Sequence, residues 1–346
     1  MRCLFLLVCV LLGPAHAALT QEFPLSLVDD HALVPEPRMP NPAPAVRVKP
    51  KADGTYEIDL LVLYTDEFAN ARVVTGGVNT EVQRLVMAAN TFYANSKVPV
   101  SYRIVGVERY AGPQDLQNYP NTLDMLREDA GMRALRDATG ADLVTLLLTT
   151  DATNYLGGRA KLFNGGEQSD PPGNVNPERD AFSVMAMGPN ASGARGSDWL
   201  FAHELGHKMG GGHDFAAHAP ASPYWKTYAH AMSCPVRSIM HSGQDAVGVG
   251  GVSDVMGDFF TNPALVLENS RCGLAGVDGV PGSGANNARS ISEAAPYVAA
   301  YRNAKSAPTA NTAKSAETGG LLLGGLGLPA LFTLLLLQLI RRHPVF

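Results

Sequence analysis

The stretch FAHELGHKMGGGHDF, residues 201–215, brings His203, His207 and His213 close together and places Glu204 directly after the first histidine. Imidazole nitrogens are common zinc ligands, and a protein that supplies three of them leaves the fourth position of a tetrahedral zinc ion open. A water molecule in that position has a pKa of about 7, so hydroxide forms near neutral pH. The residue types and their spacing therefore predict a catalytic zinc site rather than a closed structural one.

A helix starting at about Ser197 explains how the first two ligands meet. His203 and His207 are four residues apart, which places them on one face of the helix. The opposite face is apolar and consists of Phe201, Leu205 and Met209. The helix must then end before the third ligand, and Gly210 suits the left-handed backbone of a helix end. The following turn returns His213 to the other two histidines.

Glu204 lies about 100° around the helix from His203, beside the metal rather than bound to it. We expect zinc hydroxide to be the nucleophile and Glu204 to be the general base that later protonates the leaving amine. A solvated surface or a non-catalytic metal clip would also explain a histidine cluster. The longer pattern H-E-x-x-H-x-x-G-x-x-H is matched at every fixed position, and Met240 in RSIMHSG falls where a Met-turn is expected. This match favours the catalytic interpretation.

The elements that must position this motif alternate between strands and helices. Strands are predicted at 56–65, 100–110, 141–149 and 181–187, and helices at 79–96 and, as one or two helices, at 121–140. The segment YLGGRAKLF, residues 155–163, is short and partly charged, as expected for a strand at a sheet edge. A last helix is expected at 290–303, interrupted or started near Pro296. This order predicts an α/β fold, which is also described as α+β when the sheet includes an antiparallel strand.

The six residues His203, Glu204, His207, Gly210, His213 and Met240 resemble the metzincin clan of zinc endopeptidases. Asp214 is similar to the residue after the third histidine in the adamalysin/reprolysin branch, and FAHELGHKMGGGHD is also similar to bacterial peptidyl-Asp metalloendopeptidases. The resemblance covers about residues 55–304. It implies a twisted, mostly parallel five-stranded sheet with an antiparallel edge strand, a zinc helix, a Met-turn and a C-terminal helix. It also implies that an extended peptide or protein substrate lies antiparallel along the edge strand.

Two features differ from these relatives. Astacin-like and serralysin-like metzincins have a tyrosine two residues after the Met-turn methionine, where this chain has Ser242, so oxyanion stabilisation from that position is not expected. His241 is an alternative donor, although an exposed loop histidine without a catalytic role is the expectation there. Residues 18–52 contain no cysteine, so the cysteine-based latency of many reprolysins and matrixins is not expected.

The first 17 residues, MRCLFLLVCVLLGPAHA, have the layout of a cleavable secretory signal. The alternative, a buried N-terminal helix, would need a polar face that this run lacks. Residues 18–52 are then a proline-rich arm or short propiece, and 53–304 the catalytic domain. Export leaves Cys234 and Cys272 in an oxidising compartment, where we expect a disulfide. Two reactive thiols are the alternative.

The C-terminal region combines a polar linker, residues 305–317, with a tail, residues 318–346. Residues 321–340 carry no charge and are long enough to span a bilayer. The tail resembles the GlyGly-CTERM sorting signal of Gram-negative bacteria. The resemblance implies cleavage near Gly319-Gly320 by a sorting intramembrane protease and release to the cell surface or medium. A permanent single-pass anchor, with the catalytic domain outside, is the alternative.

Charge and composition narrow the classes of function further. The predicted signal carries one of the 27 basic residues and the tail two, so 24 basic and 32 acidic side chains remain and nucleic acid is not an expected partner. Zinc is the expected cofactor; calcium remains an open alternative without a spaced ligand loop to support it. The prediction is an exported zinc endopeptidase. A non-catalytic zinc-binding adhesin or surface binding module on the same fold is the alternative.

Overall fold

A computed structural model describes residues 47–72, 76–115, 119–149, 156–166, 172–188, 195–215, 224–242 and 256–303. Its centre is a five-stranded sheet with the strand order β2-β1-β3-β5-β4. The strands are β1 (Tyr56–Tyr64), β2 (Val100–Arg109), β3 (Leu143–Thr149), β4 (Leu156–Ala160) and β5 (Phe182–Met187). All neighbours in this order are parallel except β4, which runs antiparallel to β5. The predicted fold class, including the antiparallel edge strand, is confirmed.

Seven α-helices occur among the described residues: α1 (Asp66–Ala71), α2 (Val78–Asn95), α3 (Tyr119–Glu128), α4 (Ala130–Thr139), α5 (Pro177–Asp180), α6 (Arg195–Lys208) and α7 (Asn287–Val298). The predicted helical region 121–140 is divided at Asp129, whose carboxylate accepts hydrogen bonds from the N–H groups of Gly131 and Met132 and so caps α4. Within the described part of the chain, no helix is long and apolar enough to cross a membrane. The predicted signal and the predicted span at 321–340 lie outside the described residues.

The sheet is built around its three central strands. β3 and β5 lie inside the sheet and are buried along almost their whole length, as expected for parallel strands covered on both faces. α2 buries the side chains that follow the helical period, Val82, Leu85, Val86 and Ala89, and it packs against α6 and β2. α6 in turn packs against β4 and β5. The helix with the histidines is therefore held between another helix and the edge of the sheet.

The chain after α6 contains short elements that the sequence patterns did not predict. They are the strands β6 (Asn262–Leu267), β7 (Ser270–Cys272), β8 (Leu274–Ala275) and β9 (Gly284–Ala285), paired as β6 with β7 and β8 with β9. The predicted disulfide between Cys234 and Cys272 is present and packs against Phe259. It joins the segment before Met240 to the end of β7.

The last helix differs from its predicted position. α7 begins at Asn287 because the side chain of Asn286 accepts a hydrogen bond from the N–H of Arg289 at 3.1 Å and so caps the helix. Pro296 neither starts nor interrupts the helix. It lies in the last turn, two residues before the end at Val298, where its missing N–H costs a single helical hydrogen bond.

Candidate active site

Helix α6 carries the first two histidines and Glu204. Arg84 of α2 fixes the start of this helix: it donates to the Ser197 hydroxyl at 2.9 Å and pairs with Asp198. Phe201 and Leu205 are fully buried in the main core, as the pattern predicted. Because the apolar face fixes the rotation of the helix, the histidines project from the opposite face.

The structure brings His203, His207 and His213 together. The distances between their Nε2 atoms are 3.1 Å from His203 to His213, 3.1 Å from His207 to His203 and 3.0 Å from His207 to His213. All three side chains are buried. Among the described residues, this trio is the one group of three or more histidine, cysteine or acidic side chains that could hold a metal ion.

The hydrogen bonds at the far side of two rings show what the convergent nitrogens can bind. His203 Nδ1 donates to the Ile239 carbonyl at 2.7 Å, and His207 Nδ1 donates to the Gly211 carbonyl at 3.1 Å. A carbonyl oxygen only accepts, so both protons are on Nδ1 and both Nε2 atoms present lone pairs to the centre. Lone pairs about 3 Å apart repel each other unless a cation lies between them. The separations fit zinc, whose bonds to histidine are about 2.0–2.1 Å long.

Two close contacts shape the floor of this site. Met240 is fully buried, and a Cβ atom at Gly206 would lie 2.5 Å from its sulfur. A residue larger than glycine at position 206, in the last turn of α6, would therefore displace Met240. Ile239, the residue before Met240, accepts the hydrogen bond from His203 through its carbonyl. The segment of the predicted Met-turn thus both supports the helix and orients one ligand.

Glu204 is 1% exposed, and its carboxylate meets the edge strand. A Cβ atom at Gly158 of β4 would lie 2.1 Å from Glu204 Oε1 and 2.5 Å from its carboxyl carbon. The carboxylate thus occupies the space that a side chain at position 158 would take. Among the described residues β4 is the last strand of the sheet, so Glu204 lies where α6 meets the edge strand.

The residues after the third histidine join it to the Met240 segment. Asp214 accepts hydrogen bonds from the Ser242 N–H at 3.0 Å and the Ser242 hydroxyl at 2.8 Å. Burial would raise the pKa of Asp214, but donation from Ser242 and the nearby His241 ring hold the pKa below its usual value. His241 was expected to be an exposed loop histidine, and that is wrong: it is 2% exposed, with Nδ1 3.7 Å from Asp214 Oδ1, because Asp214 draws residues 241 and 242 inward.

The sequence patterns missed the buried amine of Lys208. Its Nζ donates to the Val144 carbonyl at 3.1 Å, the Thr145 hydroxyl at 2.9 Å and the Ser183 hydroxyl at 2.8 Å. Burial lowers its pKa well below the usual value, against the opposing charge of Glu204. These three bonds fasten the end of α6 to β3 and β5. The signal in the sequence was a lysine between His207 and Met209, which were expected in the metal site and on the apolar face.

This arrangement is that of the metzincin-like zinc metalloproteases: a mixed α/β domain, a histidine-bearing helix, three convergent imidazole nitrogens, a buried glutamate and a buried methionine packed against the helix. Residues 54–248 match the family model Reprolysin_5, described as metallo-peptidase family M12. The match covers more than half of the 346-residue chain, and the protein belongs to this family. Its members use zinc, which agrees with the donor set found here.

Two further similarities were found. A peptidyl-Asp metalloendopeptidase of Pseudomonas aeruginosa is 26% identical over 300 residues, which cover 80% of this chain and 44% of that protein. The chain thus spans less than half the length of this curated relative. A solved structure described as a chaperone-substrate complex aligns with a TM-score of 0.51 and 17% identity, over 73% of this chain and 38% of that one. At this identity the second similarity concerns the fold alone.

Proposed function

We propose that the protein is an exported zinc-dependent endopeptidase in which Glu204 is the general base. The observation that carries the proposal is the placement of Glu204. It is buried on the helix that also carries His203 and His207, and its carboxylate abuts Gly158 on the edge strand. A base in this position adjoins both the metal ligands and the strand that could bind a peptide.

The edge strand offers a binding surface for an extended substrate. β4 is the terminal strand of the sheet and pairs with β5 through one of its sides. An extended peptide can add to such an edge through main-chain hydrogen bonds, which do not depend on the side chains of the peptide. A peptide paired antiparallel with β4 would pass beside Gly158 and so bring its backbone to Glu204.

The reaction follows from this arrangement. When bound, zinc supplies Lewis-acid polarisation of the scissile carbonyl and lowers the pKa of a water ligand to about 7. Glu204 takes one proton from the attacking water while the water oxygen bonds to the carbonyl carbon. Glu204 then delivers that proton to the amide nitrogen as the C–N bond breaks, which yields a carboxylic acid and an amine. The second proton of the water leaves the acid for the amine, so the final products are a carboxylate and an ammonium group. The Ser242 hydroxyl donates to Asp214 and has no part in this scheme.

The substitution Glu204→Gln tests the proposal, because it keeps the size of the side chain and removes the base. We expect peptide or casein cleavage to fall by at least 10²-fold at unchanged zinc content. Glu268→Gln, an exposed residue between β6 and β7, is the matched control and should retain full activity. Unchanged cleavage by the Glu204→Gln protein would leave the zinc-binding adhesin as the better explanation.

The proposal concerns the reaction and leaves side-chain preference to experiment. The name of the Pseudomonas relative refers to aspartate. Residues 241–262, where a side-chain pocket is expected, contain no lysine or arginine to pair with an acidic residue. Mapping the cut sites in a peptide library shows which side chain the enzyme accepts on either side of the cleaved bond.

We also propose that the tail, residues 318–346, is removed near Gly319-Gly320 after export. The support is the combination of a polar linker, small residues at the proposed cut and an uncharged span interrupted by glycines and a proline before Arg341-Arg342. Mass spectrometry of the mature C-terminus from surface and culture fractions tests this. A product that still ends at Phe346 and stays in the inner membrane would identify a permanent anchor.

A further inference from the structure

The third histidine depends on contacts that the first two do not need. Helix α6 fixes the backbone of His203 and His207. His213 follows three consecutive glycines, residues 210–212, and glycine has the most conformational freedom of any residue. The position of His213 Nε2 therefore has to be imposed by neighbouring elements.

The glycines are required by the packing around the turn. Gly210 has a φ of 86°, in the left-handed region that favours glycine. A Cβ atom at Gly212 would lie 2.2 Å from the Tyr224 ring and 2.5 Å from the Ala229 carbonyl oxygen. Side chains cannot stiffen this turn, so its rigidity must come from hydrogen bonds to its backbone.

Asn287, the first residue of α7, supplies two of those bonds. Its Oδ1 accepts from the Gly212 N–H at 3.0 Å, and its Nδ2 donates to the Gly212 carbonyl at 3.1 Å. The Asn287 amide thus hydrogen-bonds both backbone polar groups of Gly212, the residue directly before His213. Asn287 is fully buried, and its own N–H donates to the Thr261 hydroxyl at 2.9 Å.

Ser290, one turn further along α7, holds the start of the same turn. Its hydroxyl donates to the Gly210 carbonyl at 2.6 Å and accepts from Trp225 Nε1 at 2.8 Å. Residues three apart lie on one helical face, so Asn287 and Ser290 contact the glycine turn together. The family match ends at residue 248, well before this helix.

We propose that Asn287 and Ser290 are positioning residues for the third metal ligand. They hold the glycine turn so that His213 Nε2 converges with the other two histidine nitrogens before metal binds. Less conformational entropy of the turn is then lost when metal binds, so binding is stronger. The inference rests on the metal site of the proposed function and does not depend on cleavage of a peptide.

The test measures zinc binding by the whole protein, by competition with a chromophoric chelator. Partners that orient ligands typically change metal affinity by about 10- to 100-fold, so we expect Asn287→Ala to weaken zinc binding at least about tenfold. We expect a smaller, few-fold loss for Ser290→Ala, which removes one bond to the turn. The visible absorption spectrum of the cobalt-loaded Asn287→Ala protein should also change, because the geometry of the third ligand changes.

Asn286→Ala is the matched control. It removes the cap of the same helix, one residue earlier, without removing a contact to the turn. It should lower the unfolding temperature yet leave zinc affinity and the cobalt spectrum as in the wild type. The proposal is overturned if Asn287→Ala and Ser290→Ala both bind zinc like the wild type, or if Asn286→Ala loses as much affinity as they do.

Two further outcomes are also informative. If Asn287→Ala does not fold, Ser290→Ala decides the matter alone, because it removes one side-chain hydroxyl and keeps the backbone contacts of α7. If the wild-type protein binds zinc and cuts no peptide, the proposed activity fails while this inference is still tested by the affinities. An absence of zinc binding in the wild type would overturn both.

Discussion

Gly158 and Glu204 come from different elements, yet the α-carbon of the glycine lies against the carboxylate. A methyl group at position 158 would overlap Glu204 Oε1, its carboxyl carbon and its Cγ, at 2.1, 2.5 and 2.8 Å. The glutamate must then turn away, so Gly158→Ala is expected to lower kcat by about 10²-fold, the size of loss that a misplaced catalytic group produces. Steady-state kinetics with a defined peptide, together with the zinc content, checks this.

Gly106→Ala is the control for this prediction. It lies in β2, the strand at the opposite edge of the sheet, and its Cβ atom would meet Leu61 at 2.9 Å. Both variants add one methyl group to an edge strand, so a general loss of sheet stability would affect them alike. Normal kcat for the Gly158→Ala protein would show that the carboxylate tolerates displacement.

At the same scale, the sequence predicts side chains whose roles depend on local spacing. His203, Glu204 and His207 are predictable because a helix fixes their relative directions. Gly158 and Asn287 are not, because their importance arises only when β4 and α7 pack against the motif from other parts of the chain. His241 shows the same limit: Asp214 buries it through contacts that the loop sequence does not reveal.

At the scale of elements, hydrophobic periodicity predicts the long strands and helices. β1, α2, β2, β3 and β5 all lie where that pattern places them, because each contributes apolar side chains to one core. β7, β8 and β9 are two or three residues long, too short for any period to be recognised. Pairing with a neighbouring strand, and the disulfide at Cys272, hold them instead.

The disulfide between Cys234 and Cys272 should therefore contribute much of the stability of this part of the domain. The two cysteines are 38 residues apart, and closing a loop of this size stabilises a fold by about 4 kcal/mol in the chain-entropy model. We expect the double variant Cys234→Ser/Cys272→Ser to lose roughly 3 to 4 kcal/mol in free energy of unfolding, measured by denaturant titration. Alkylation of the native protein without reductant is the companion measurement, and two alkyl groups per chain would contradict the prediction.

At the scale of the whole domain, Asp142 joins regions that are far apart in sequence. Its carboxylate accepts from the Asp59 N–H in β1 at 2.9 Å and from the Arg302 N–H after α7 at 3.0 Å. Burial raises the pKa of Asp142 to about 7, helped by the Asp59 carboxylate and opposed by those N–H groups and the Arg136 charge. The group that connects the two ends of the domain is thus a carboxyl that holds its proton near neutrality.

This pKa gives the free energy of unfolding an unusual dependence on pH. The unfolded carboxyl has a pKa of about 3.9, so between about pH 4 and 7 the folded protein holds a proton that the unfolded chain has lost. The stabilisation is complete in acid and is lost as the pH rises through 7.

We therefore expect the stability of the wild type relative to Asp142→Asn to increase by about 2 to 3 kcal/mol from pH 8 to pH 5. All other titrating groups, the histidines included, are common to both proteins and cancel in this difference. The exposed Asp137, which pairs with Arg302 at 2.7 Å, provides the control: Asp137→Asn removes an exposed carboxylate from the same region, and its difference from the wild type is the baseline at both pH values. A difference for Asp142→Asn that is the same at both pH values would mean that this buried carboxyl is already ionised in the folded protein at pH 5.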